Sequence, residues 1–159
     1  MRYVLSVLTA IAWALWLGGV CGTAVAVVAV FRTMDRATAG QVGAIVFTAF
    51  GRYQLLVAAV ALIGSAGLRL AAPGRARTWL FVLLGAAAVG ASVFAGAITP
   101  RMDAMRDAGR QQSPEFRQLH RASERVVAAQ VLALLTAGAV LPAAVRGSRA
   151  EHSGTPTPS

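Results

Sequence analysis

The chain has no lysine and no asparagine, and only one cysteine. Without asparagine there is no Asn-X-Ser/Thr sequon, so N-glycosylation is excluded. A single cysteine cannot close an internal disulfide, so cysteine usage leaves the redox compartment open. Acid is scarce as well, with six Asp and Glu against fifteen arginines in 159 residues and a formal net charge of +9. Missing both Lys and Asn while rich in Ala, Gly, Val and Arg, the sequence points to GC-rich bacterial coding, a hypothesis that the genome sequence tests directly.

The most telling absence is charge over long stretches. Charge-free runs cover 3–31 (29 residues), 53–68 (16), 78–100 (23) and 126–145 (20). Hydrophobic residues make up 57% of the chain and mean hydropathy is +0.63, so apolarity is gathered into spans rather than spread thinly. A hydrocarbon core about 30 Å thick takes roughly 20 residues of helix. Three runs meet that length. The second is bounded by Arg52 and Arg69, whose guanidinium groups can snorkel to the two interfaces while Leu70, Ala71 and Ala72 lengthen it. Four transmembrane helices are therefore expected. A cleaved signal peptide would show an apolar core of about 7 to 15 residues, far shorter than the first run. A lipoprotein would need a small residue before Cys21, where Val20 stands.

Strong positive charge in a soluble chain suggests nucleic acid. Here the arginines flank apolar spans, the placement that meets lipid headgroups and sets topology, so nucleic-acid binding is not expected.

Spans are expected at about 4–31, 45–70, 79–99 and 122–142, within a membrane domain covering 1–145. Val42, Ile45, Val46, Ala49 and Tyr53 recur at helical spacing, so the second helix should begin soon after Gly40. Pro73-Gly74 in the next connection predicts a tight hairpin. Pro100 would clash with the carbonyl of Gly96, so the third helix should kink or stop there. Residues 100–121 read as a short extramembrane helical hairpin. Its second arm opens at Ser113-Pro114-Glu115, which joins a capping hydroxyl, a proline at the first helical position and an acid in the first turn. From 114 to 141 a helix would run about 42 Å, longer than the hydrocarbon core of about 30 Å, so it should protrude. Asp103 and Asp107 could then face Arg117, Arg121 and Arg125 across the hairpin. After Pro142 the helix is expected to break up, and 146–159, rich in Ser, Thr, Pro and Gly, reads as a disordered tail.

Met34-Asp35 and Ala39-Gly40 recur as Met102-Asp103 and Ala108-Gly109, which two tandem helix pairs would explain, although Ala/Gly-rich sequence also produces such matches by chance. An even number of spans puts both termini on one side. That side carries Arg2, Arg69, Arg75, Arg77, Arg146 and Arg149 with Glu151 as its one acid, while the other carries nine arginines and five acids. A count of basic residues alone favours the long connection inside. The acid-free short loop and Arg2 favour both termini in the cytoplasm, which is the orientation expected here.

Chemistry has few candidates. His120 is the one histidine outside the tail and shares a helix face with Phe116, Ser123, Val127 and Gln130. One imidazole without further donors at ligand spacing favours a hydrogen-bonded interfacial residue over a metal ligand. No metal site or cofactor is predicted, and haem or copper at His120 is the alternative. Gly18 and Gly22, with Gly19 between, suggest close helix packing around Cys21, within the bundle or in a homo-oligomer. No nucleophile elbow, phosphate loop or paired intramembrane carboxylate is present, so an enzyme is not expected.

Trp16-x-Gly18-Gly19, Phe31, Ala39-Gly40, Phe47-x-x-Phe50, Thr99-Pro100-Arg101 and Phe116-x-x-Leu119-His120-x-x-Ser123 together resemble the transmembrane protein 205-like family, known in bacteria as domain of unknown function 4149. The likeness runs over roughly 5–141. Relatives with glycine after the histidine differ from this chain, which has Arg121 there. The resemblance implies a four-helix membrane fold and leaves the function open, because the bacterial family is uncharacterised and the eukaryotic relative's link to drug resistance has no settled mechanism.

The expectation is thus an all-α, four-transmembrane-helix bundle in a bacterial inner membrane, non-enzymatic. A polar headpiece of Arg101, Phe116, His120, Ser123 and Arg52 would bind a membrane protein partner or a small solute. The alternatives are a haem- or copper-linked protein and a small-solute transporter.

Overall fold

In the computed structural model, residues 2–146 are described. Four helices are long and apolar enough to cross a membrane: α1 (Arg2–Thr33), α2 (Arg36–Ala71), α3 (Arg75–Asp107) and α4 (Pro114–Arg146). The chain is therefore a multi-pass, all-α membrane protein. The shortest, of 32 residues, extends about 48 Å, so all four outrun the roughly 30 Å hydrocarbon layer. The helices pack in the ring order α1, α2, α3, α4; α1 meets α2 along its length, touches α4 sparingly and does not reach α3.

Two connections explain the sharp turns. Asp35 takes an extended conformation and its Oδ1 accepts from the Ala37 and Thr38 amides, both at 3.0 Å, which starts α2 at Arg36. The helix thus begins earlier than its hydrophobic periodicity predicts, because a side-chain cap rather than burial decides its first turn. Hydrogen bonds from Thr38, its side chain foremost, and from the Ala37 amide hold the Asp35 carboxyl below the ordinary aspartate range. Between α2 and α3, Pro73 and the extended Gly74 make the expected tight hairpin.

Neither proline ends its helix. α3 widens into a π-helical turn at Phe94–Ile98, where the Thr99 amide and hydroxyl both donate to Phe94 O, and then continues as α-helix over Thr99–Asp107. One wider turn moves the carbonyls away from the Pro100 ring, which accommodates the proline without a break. Pro142 likewise lies inside α4, which persists to Arg146. Buried Leu141 and Ala144 hold that last turn, and Ala144 O accepts from Arg77 Nε at 3.0 Å. Arg146 thus closes a helix instead of opening a tail; the rest of the expected tail, 147–159, lies outside the described residues.

The core is a seam at heptad spacing: Leu80, Leu84, Ala87 and Ala91 on α3 face Leu134, Ala137, Leu141 and Ala144 on α4. With Ala12, Trp16 and Val20 of α1 and Val57, Ala58 and Ala61 of α2 the core cluster numbers fourteen residues, seven of them alanine, so the backbones approach closely. Glycine does the same at the edges. A Cβ on Gly138 would overlap the Trp13 ring, which is fixed by Trp13 Nε1 donating to Leu134 O at 2.7 Å, and a Cβ on Gly64 would overlap Thr9 Oγ1. On α1 the packed glycine is Gly19, whose Cβ would come within 2.7 Å of the Tyr53 ring. The expected packing at Gly18 and Gly22 is not found within the chain: a Cβ at either would meet nothing within 4 Å, and Cys21 is exposed. The reason is rotational. The buried stripe of α1 is Thr9, Ala12, Trp16 and Val20, which turns Gly18 and Gly22 outward.

Gly138→Ala and Gly64→Ala should therefore each destabilise the bundle by about 1 to 3 kcal/mol through overpacking. Gly18→Ala and Gly22→Ala should be neutral or stabilising by up to about 1 kcal/mol, since alanine is the better helix former. Equilibrium unfolding in mixed micelles distinguishes the two pairs, and equal losses at all four positions would contradict the packing described.

Candidate functional site

The headpiece is assembled by the end of α3 and the start of α4. Gly109, at φ 69°, turns the chain, and Ser113 Oγ accepts from the Phe116 amide at 3.1 Å to cap α4 as its sequence predicts. Glu115 is held below the ordinary glutamate range by its own amide, by the Ser113 hydroxyl and by Arg110, which approaches to 3.6 Å. The expected pairing of acids on one arm with arginines on the other does not form. Asp103 pairs with Arg106 one turn along its own helix, Arg117 donates to Gln112 O at 3.1 Å, and Asp107, Arg121 and Arg125 form no ion pair among the described residues. Asp103 is satisfied locally by the i,i+3 geometry of its own helix. What bridges the arms is Arg106, whose guanidinium stacks 5.7 Å from the centre of the Phe116 ring.

The five candidate headpiece residues do not converge on one pocket. Arg101 lines a shallow, open groove with Met105, Arg110, Glu115, Gln118 and Leu119. Phe116, His120 and Ser123 are absent from that lining and share the adjoining face of α4. Ser123 is buried and donates to His120 O at 2.7 Å, while the exposed His120 ring lies 3.3 Å from Glu124. Arg52 is exposed on α2 and makes no hydrogen bond or ion pair among the described residues. A haem or copper site on His120 would start from one imidazole and one carboxylate, and no group of three or more His, Cys, Asp or Glu converges among the described residues.

A second polar centre was not anticipated. Gln54 of α2 and Gln130 of α4 are buried in the middle of the bundle, 1% and 3% exposed, and Gln130 Nε2 donates to Gln54 Oε1 at 2.9 Å. Tyr53 donates to Leu15 O at 3.0 Å, which brings Trp16 to the same level. Trp16 Nε1 and Gln54 Nε2 are buried donors with no acceptor among the described residues. On α3 the centre abuts Gly90, whose Cβ would meet Gln130 at 3.7 Å, one turn before the π-helical segment. A signal was present in the chain. Gln54 and Gln130 are each the sole amide in their charge-free runs, and a lone amide in a membrane span is a natural interhelical tie.

The pair predicts an asymmetric mutational response. Gln130→Leu leaves both ends of the Gln54 amide unpaired and should cost up to about 1.7 kcal/mol. Gln54→Leu also removes an unpaired donor, so it should cost less, and the double Leu variant should recover most of the loss. A double-mutant cycle in mixed micelles measures this; additive losses would refute the hydrogen bond.

Comparison with protein families finds a match to the model of domain of unknown function DUF4149 over residues 11–111. The matched region holds most of α1 and all of α2 and α3 and ends before α4, so Phe116, His120, Ser123 and Gln130 fall outside it. No curated protein and no solved structure matches the chain.

Proposed function

The chain belongs to the DUF4149 family, and we propose that it is a non-enzymatic protein of a bacterial inner membrane that binds a membrane protein partner through its headpiece. The groove beside Arg101 carries this reading. Met105 and Leu119 supply an apolar strip, and Arg101, Arg110, Glu115 and Gln118 edge it with both signs of charge. An apolar centre with a polar rim suits a protein surface, whereas small solutes are held in enclosed pockets. Likeness to transmembrane protein 205-like proteins belongs to the same proposal, since it draws on Phe116, His120 and Ser123 beyond the matched region.

A photo-crosslinking residue at Gln118 should give a discrete, light-dependent product in living cells. Arg101→Glu should abolish it, and a probe at lipid-facing Leu132 should not produce it. Identical patterns at 118 and 132 would remove the headpiece from consideration.

Both termini are proposed to be cytoplasmic. All five described acids, Asp35, Asp103, Asp107, Glu115 and Glu124, belong to the headpiece end, and the short opposite connection, 69–77, carries Arg69, Arg75 and Arg77 and no acid in its sequence. A carboxy-terminal fluorescent fusion should glow and an alkaline phosphatase fusion stay inactive; the reverse pattern would invert the orientation.

A further inference from the structure

The last residues of α1, 21–33, include none that is buried, and they stay uncharged as far as Phe31. Val25, Val28 and Phe31 are 70%, 51% and 50% exposed. Their height in the bundle follows from one contact, in which the Trp13 ring donates to Leu134 O and lies over Gly138 on the antiparallel α4. Equal rises along both helices then set Val25, Val28 and Phe31 level with Glu124, Arg121 and Gln118. The route through α2 agrees, since Phe31 lies against Gly43, eleven residues before Gln54, and Leu119 stands eleven before the Gln130 that Gln54 binds. Apolar side chains of α1 therefore share a layer with the charges of α4.

Hydrocarbon cannot cover both. α4 is charge-free over 126–145, 20 residues that match a core about 30 Å thick, so hydrocarbon ends near Arg125 and, at the same height, near Ala24. Tilt does not absorb the difference, because fitting the 29 uncharged residues of α1, about 44 Å, into about 30 Å takes about 45°, beyond the usual range. Val25 and Val28 thus project past the hydrocarbon, each more than half exposed. We propose that a second copy of this chain covers them, α1 against α1 about a two-fold axis along the membrane normal. Height selects this partner, because copies inserted with the same topology carry identical overhangs at identical heights and each covers the other. A helix of ordinary span length is apolar only within the hydrocarbon. Gly18, Gly22, Val25 and Ala29 follow one another at helical spacing on the face opposite the buried stripe of α1, and a Cβ on Gly18 or Gly22 meets nothing within 4 Å. Two backbones can approach closely there.

Bismaleimide crosslinking of the full chain in isolated membranes, through an introduced cysteine, tests the contact. With Cys21→Ser as background, Ala29→Cys should yield a covalent product of twice the chain's mass, whereas Arg121→Cys, near the same height on α4, should not. Val25→Arg added to Ala29→Cys should lower the yield at least about tenfold, because two arginines would then face each other across the axis. Gly22→Leu should lower it as well, by holding the two backbones apart. Val25 is exposed and Gly22 has open space beside it, so neither change disturbs the packing within a chain, and the unfolding midpoint in micelles should confirm that each variant folds. No product from Ala29→Cys, a yield undiminished by Val25→Arg, or equal product from Arg121→Cys would overturn the proposal. A product of some other mass would assign the face to a different protein and overturn the second copy.

Discussion

Helices in a bilayer gain little by hiding apolar side chains from one another, because lipid is as apolar as they are. Their association depends on how closely the backbones approach, and in this chain that approach is set by alanine and glycine. Half of the buried core cluster is alanine, Gly138 accepts the Trp13 ring and Gly64 accepts Thr9. Large apolar residues lie on both sides: Trp16, Leu80, Leu84 and Leu134 are fully buried, while Leu56, Ile63, Leu132 and Leu135 are exposed on the outer face. Every polar contact inside the bundle must therefore fit between tightly spaced helices.

Three polar devices do so. Arg77 ties the connection after α2 and the last turn of α4 to the first turn of α3, which lets α4 continue through Pro142. The Gln54–Gln130 hydrogen bond joins α2 and α4 at mid-bundle. The π-helical turn at Phe94–Ile98 carries α3 past Pro100 and brings its last segment, with Arg101 and Arg106, against α4. Removing that turn would rotate Arg106 away from Phe116, the contact that joins the two arms of the headpiece.

The two ends of the bundle differ in charge. The headpiece mixes charge of both signs around an open groove, whereas at the opposite end Arg2, Arg77 and Arg146 line a more enclosed cleft.

Much of this was legible from the chain itself. Charge-free runs determine four spans because burying ionised groups in hydrocarbon is costly, and Ser113-Pro114-Glu115 determines where α4 starts because each residue satisfies a helix-start requirement locally. Rotation about each helix axis is different, since spans apolar on all sides carry little periodicity. Gly19 rather than Gly18 or Gly22 became the packed glycine, and Arg106 rather than the Asp103 and Asp107 face linked the hairpin. Gln54 found Gln130, 76 residues away. Arg77, to all appearance an interfacial arginine, became a buried clasp once the end of α4 presented a carbonyl to it. Those outcomes belong to the tertiary structure, because they depend on which neighbour fills the space each side chain points toward.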